Sequence, residues 1–337
     1  MLAFGYFGLL SANSLPPVDR VLGQIVLFLI AVIGIAGFGH VFTDMFDVEE
    51  DRIRGQPNLW ADSGSWRRVA LLSALIAASW LPWIFIPIGR TGLILVAAEF
   101  LMFALYAVPP VRLKNRGLAG IVADGMYAHA LPALWTWLPF AHLSGARAPV
   151  STGVVIGAWG ISVGIRELMH HQAIDADRDR KVGATTYGVR RGRTHLMGLL
   201  RRLVLPAEVV TFAMLLGVMT PTSALPAAGF AIYMIWSFVK VRGFWIEPVN
   251  LFPPDSDDSA TILARRVLSP FYYGWLPLLL LAGLAIRNPA YLLVALLHLA
   301  LFGPMIRRLI GHEAAFVIAL FTRPHGSRLF ANSIRNS

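Results

Sequence analysis

Cysteine is missing from this chain, and charge is scarce: only 14% of its 337 residues are Asp, Glu, Lys or Arg. Without cysteine there is no disulfide, no thiolate nucleophile and no zinc–sulfur site. A soluble domain carries about 25% charged and 45–50% apolar residues, whereas 56% of this chain is hydrophobic. So little charge cannot cover a water-facing surface, and lipid must solvate much of it. Acidic residues are the scarcer sign, 19 against 29 basic, for a net charge of +10. That excess does not mark a nucleic-acid binder, because the basic residues fall between long apolar runs, where insertion topology places them. The first residues also lack the basic stretch and small-residue cleavage site of a secretory signal.

Apolar runs of roughly the length that crosses a ~30 Å hydrocarbon core recur along the chain. They read as spans near Leu2–Leu15, Val21–Phe42, Val69–Ile88, Thr91–Ala107 and Leu118–Ala141. Five more follow near Val150–Leu168, Val204–Met219, Ala224–Phe238, Pro270–Ile286 and Pro289–Met305. Backbone groups in lipid must bond within their own segment, so these are helices. The predicted fold is all-α: a polytopic bundle of about nine or ten spans, one domain over residues 1–310. Residues 311–337 are expected to form an interfacial or flexible tail. Alternate loops differ sharply in Lys and Arg. Arg52, Arg54, Arg67 and Arg68, then Arg112, Lys114 and Arg116, then the run from Arg178 to Arg202 share one side, while Arg20, Arg90, Arg147 and Arg287 take the other. The positive-inside rule assigns the rich loops to the cytoplasm.

Two loops on that side concentrate the scarce acids. Thr43-Asp44-Met45-Phe46-Asp47-Val48-Glu49-Glu50-Asp51-Arg52 follows the second span. If the helix continues, Asp44, Asp47 and Asp51 share one face at i, i+3 and i+7, where like charges repel unless a cation intervenes. Oxygen ligands of this kind suit Mg²⁺. His171-Gln172-Ala173-Ile174-Asp175-Ala176-Asp177-Arg178-Asp179-Arg180-Lys181 follows the sixth span, with His171, Asp175 and Asp179 on one face. Either cluster alone reads as a hydrated helix end. Two at equivalent positions on one side favour a metal-assisted site. Between them, Tyr106-Ala107-Val108-Pro109-Pro110-Val111-Arg112-Leu113-Lys114 breaks a helix with its prolines and supplies two cations. Arg and Lys both bind phosphate, Arg with a bidentate fork. Trp135, Trp137 and Tyr127 on the fifth span read as interfacial anchors or channel lining, and Glu99, Asp124, His129 and Glu208 as structurally paired polar groups. A cation-coupled transporter is the competing reading; its acids usually lie nearer the membrane midplane.

At these residues the chain resembles the UbiA superfamily of intramembrane prenyltransferases. Asp44, Asp47 and Asp51 match the family's first aspartate motif, with Thr43 in place of its leading Asn. Asp175, Asp179, Gly183 and Thr186 match the second, and Tyr106 to Lys114 is similar to the segment after the fourth span. The resemblance covers roughly residues 20 to 240, and it implies a bundle of spans around a central cavity. It implies an isoprenoid group moved from a prenyl diphosphate to an aromatic or other lipophilic acceptor, by Mg²⁺-assisted ionisation to an allylic carbocation. It further implies two Mg²⁺ ions bridged through diphosphate to Asp44, Asp47, Asp51, Asp175 and Asp179. Arg112, Lys114, Lys181, Tyr106 and His171 are the expected diphosphate contacts. A catalytically inactive isoprenoid-binding relative is the remaining alternative.

Overall fold

The computed structural model describes residues 1–61, 63–181, 183, 185–244 and 262–322, among which there is helix but no strand. Contacts divide the chain into two compact units, Met1–Val218 and Met219–Ser337. The Arg242–Arg266 loop, with Pro253, Pro254, Asp255, Asp257 and Asp258, lies largely outside the described residues, as does the tail beyond Thr322.

The first unit contains α1 (Leu2–Leu10), α2 (Val18–Asp44), α3 (Val48–Arg54), α4 (Ser65–Trp80) and α5 (Gly89–Ala107). It continues with α6 (Leu118–Gly125), α7 (Leu131–Leu143), α8 (Val150–Lys181), α9 (Tyr187–Arg191), α10 (Arg193–Leu199) and α11 (Leu205–Met219). Helix α2 shows why lipid is its solvent. Val21, Ile25, Phe28, Ala31, Ile35 and Phe38 recur at helical spacing and are buried. The outer face is apolar too, with Val26, Ile30 and Ile33 exposed. Such a face would be a liability in water. Six described helices are long and apolar enough to cross a membrane, among them α2, α5 and α8. The chain is an integral membrane protein.

Of the expected first run, Leu2–Leu15, α1 covers Leu2–Leu10; all nine of its residues are buried, and it packs on α7. The expected fifth span is helical throughout, from Leu118 to Leu143, with a π turn at Met126–Ala130 between α6 and α7. Trp135 and Trp137 are 1% and 3% exposed and belong to the core of this unit, not to an interfacial belt. Trp135 donates to Glu99 and meets the ring of Phe28 at 5.6 Å.

Close packing fixes the helix that carries the second acidic motif. A Cβ on Gly164 of α8 would strike the Cα of Gly125 on α6, and one on Gly160 would come within 2.8 Å of Ala130 Cα. Small residues at such crossings let membrane helices approach closely.

The second unit contains α12 (Leu225–Phe244) and the helices Leu276–Arg287 and Leu292–Thr322. The last kinks at Phe302, where Pro304 removes a backbone donor, and then runs on through residues 311–322. Lys240, 1% exposed, pairs with Glu313 at 2.6 Å, and Trp236 Nε1 donates to the same carboxylate at 2.6 Å.

Candidate active site

The first acidic motif does not continue its helix. Asp44 is the last residue of α2, and Asp47 is the N-cap of α3. In a continuous helix the Asp44 carbonyl would accept from residue 48. Instead it accepts from the Asp47 N–H at 3.2 Å and from Asn58 Nδ2 at 3.0 Å. Asn58 also donates to Asp51 Oδ2 at 2.7 Å, so one amide fastens both ends of the motif. The loop that carries Asn58 is anchored in turn by Trp60, whose indole donates to the Val41 carbonyl at 2.6 Å. The expected single helical face is therefore a helix–turn–helix corner. Asp44 nonetheless remains within electrostatic range of both Asp47 and Asp51.

Thr43 does not face the cluster as a ligand. Its hydroxyl donates back to the carbonyls of Gly39 and His40, each at 2.9 Å, the usual habit of a threonine in a membrane helix. Arg52 is likewise turned outward, bonding Glu49 at 2.7 and 2.9 Å and holding that carboxyl below its ordinary range.

The segment after α5 supplies the cations. Lys114 Nζ lies 2.5 Å from Asp47 Oδ1 and 3.1 Å from Glu50 Oε2. Arg112 reaches the same two carboxylates at 3.0 and 2.7 Å and the Phe46 carbonyl at 3.1 Å. All four side chains are mostly shielded, at 14–23% exposure. Arg112 holds a left-handed backbone, φ 35°, which costs a non-glycine residue about 1–3 kcal/mol. Its three bonds to the first motif keep it there.

The same segment reaches the second motif. The Asn115 carbonyl accepts from Thr185 Oγ1 at 3.4 Å and from Arg190 at 3.3 Å. Thr186, the N-cap of α9, donates to Asp179 Oδ2 at 3.3 Å. Gly183 makes the turn between them with φ 71°, a left-handed conformation that a side chain would strain. Helix α8 is continuous to Lys181, so His171, Asp175 and Asp179 do share a face. His171 Nε2 stands 3.6 Å from Asp175 Oδ2, and Arg178 is also 3.6 Å from that carboxylate. Lys181 is exposed at the helix end. Tyr106, at the end of α5, is within electrostatic range of Asp47, Asp124 and Asp179. Its ring meets Tyr127 at 5.2 Å, and Tyr127 donates to Asp124 at 2.5 Å. The remaining span acids are also partnered: Glu208 bonds the buried Arg166 at 2.5 Å.

Glu50, Asn115 and Thr185 also belong to the site, beyond the residues expected from sequence. Glu50 was findable, lying three residues after Asp47 and so on the same face of α3. Asn58 and Asn115 act through chain reversals that no local pattern reveals.

Among the described residues, no group of three His, Asp or Glu side chains stands ready to hold a metal ion. Lys114 and Arg112 both bond Asp47 through Oδ1, and Asn58 bonds Asp51 through Oδ2. The donor set still fits a hard cation of the Mg²⁺ type, which commonly takes one or two carboxylates and completes its shell with water and substrate phosphate.

No family model and no curated protein matches the sequence. Solved structures do share its fold. A UbiA homolog from Archaeoglobus fulgidus bound to GPP and Mg²⁺ matches with a TM-score of 0.54 at 16% identity, over 85% of this chain and 94% of that one. The same homolog bound to DMAPP and Mg²⁺ gives the same values, and its Cd²⁺-bound form has a TM-score of 0.52. By architecture, then, this chain is a helical membrane protein of the UbiA fold.

Proposed function

We propose that this chain is a membrane prenyltransferase. It moves an isoprenoid group from a prenyl diphosphate to an aromatic or other lipophilic acceptor, with its arginine-rich loops in the cytoplasm. The observation that carries the reading is the reach of residues 106–116. Arg112 and Lys114 bind the first acidic motif, Asn115 is tied to the loop after the second, and Tyr106 lies within range of aspartates from both. A diphosphate needs that combination, with carboxylates to hold divalent ions and cations to meet its oxygens directly. The A. fulgidus homolog's GPP, DMAPP and Mg²⁺ supply the ligand chemistry by analogy of fold.

Asp44, Asp47, Asp51, Asp175 and Asp179 would hold Mg²⁺ through diphosphate, and Arg112, Lys114, Lys181, Tyr106 and His171 would contact the diphosphate itself. Bound Mg²⁺ would offset negative charge on the leaving group. The protein's own cations have a matching task. Arg112 and Lys114 neutralise Asp47 and Glu50 when no ligand is bound, and turn to the phosphate oxygens when it enters. The allylic C–O bond breaks heterolytically, its electron pair leaves with diphosphate, and the acceptor's nucleophile captures the carbocation and loses a proton. Once turned, these cations face the developing negative charge and lower that barrier.

Turnover tests the reading. Purified protein given geranyl diphosphate, MgCl₂ and a panel of acceptors releases diphosphate, and Asp44→Ala or Asp175→Ala abolishes the release while the protein stays folded. Undiminished release in either variant defeats the assignment.

A further inference from the structure

About 100° around α8 from the face of His171, Asp175 and Asp179, a separate cavity of about 500 Å³ lies between α8 and the α9–α11 segment. Its shaft is apolar. His195, Leu199, Leu203 and Ala207 line one wall at a spacing of four, a single stripe along the helix. Ile165 and Met169 face them from α8. From His195 to Ala207 the stripe runs about 18 Å, at 1.5 Å per residue. That is close to half of a ~30 Å hydrocarbon core, the depth of one leaflet.

The mouth differs from the shaft. Arg191, His195 and Tyr187 gather there, with the Tyr187 hydroxyl 3.2 Å from His195 Nε2. Among the described residues, no acidic one lines the cavity. Arg191 makes the mouth cationic, while the interior is hydrocarbon-like. The volume falls in the ~300–1,000 Å³ range of small-molecule sites.

We propose that this groove binds one anionic phospholipid, its phosphate against Arg191 and His195 and one acyl chain along the His195–Ala207 stripe. Basic pockets between membrane helices on the arginine-rich side favour anionic headgroups, and a wall one leaflet deep suits the chain attached to such a head. The occupied groove braces α9 and α10 against α8, next to Thr186 and Asp179, and so makes the second acidic motif sensitive to lipid composition.

Native mass spectrometry of delipidated protein in detergent, titrated with phosphatidylglycerol or phosphatidylcholine, tests this. Wild type retains one phosphatidylglycerol at least fivefold more tightly than phosphatidylcholine. Arg191→Gln lowers that affinity about fivefold, the effect of one interfacial arginine. Leu203→Trp, which fills the shaft, removes the adduct, and the milder Ala207→Leu weakens it should the tryptophan variant fail to fold. Equal retention of the two lipids, or full retention in both shaft variants, overturns the proposal. Displacement by inorganic phosphate would reveal a free-anion site, and displacement by geranyl diphosphate a substrate site; either also overturns it.

Discussion

Replacing Lys114 with methionine keeps the aliphatic stem and deletes one charge. Lys114 makes two charge-assisted bonds, at 2.5 Å to Asp47 and 3.1 Å to Glu50, from a side chain 14% exposed. Exposed pairs are worth about 0–1 kcal/mol, and removing one partner of a fully buried pair costs about 3–5 kcal/mol. A mostly shielded pair whose carboxylates keep Arg112 falls between, at about 1–3 kcal/mol of stability, interpolating those two ranges. The catalytic loss should be larger. Deleting one fixed group that stabilises developing negative charge costs about 10²–10³ in kcat, so diphosphate release from geranyl diphosphate at saturating MgCl₂ should fall by about that factor. Glu50→Gln separates the roles, because it breaks the same network yet leaves both cations in place. Its kcat should stay within about tenfold of wild type on the same reasoning. If Lys114→Met and Glu50→Gln lose kcat equally, Lys114 only holds the loop together, and its assignment to the leaving group is wrong.

Other outcomes follow from the same geometry. Arg112→Gly relieves a left-handed backbone that Arg112→Ala retains, so thermal unfolding should find the glycine variant about 1 kcal/mol more stable, while both lose most of their turnover. Equal stability would count against the strain. Since Lys114 and Arg112 already occupy Asp47, Mn²⁺ alone should bind weakly by paramagnetic resonance and tighten at least tenfold when pyrophosphate is added; tight binding without pyrophosphate would point to a preformed metal nest. Gly164→Val should drive α8 away from Gly125, lowering both thermal stability and turnover, and a variant with wild-type melting and rate would refute that close crossing. Thr43→Asn should leave turnover at or above the wild-type rate, since the threonine hydroxyl bonds only its own helix; a large loss would count against the alignment of the first motif.

What could be read from sequence followed from how local each cause was. The second motif was legible because α8 runs unbroken through it, so spacing alone put His171, Asp175 and Asp179 on one face. The first was legible in composition but not in shape. Its helix stops at Asp44 because Asn58, fourteen residues on, takes the carbonyl that the next turn would have used. The positions of Arg112 and Lys114 in a basic loop were plain, yet nothing in that loop announces a left-handed arginine or its bonds to Glu50. Trp135 and Trp137 misled because a tryptophan in a span suits a membrane interface as well as a protein core. Only the packing of α7 against α1 and α5 decides between the two.

The central claim is that both acidic motifs act on one diphosphate, and a double-mutant cycle on kcat/KM with Asp47→Asn and Asp179→Asn tests it most directly. Groups that serve one ligand are strongly coupled, so the double variant should lose no more than about tenfold beyond the worse single one. Losses that simply multiply would mean that the two motifs work apart, and would contradict the account.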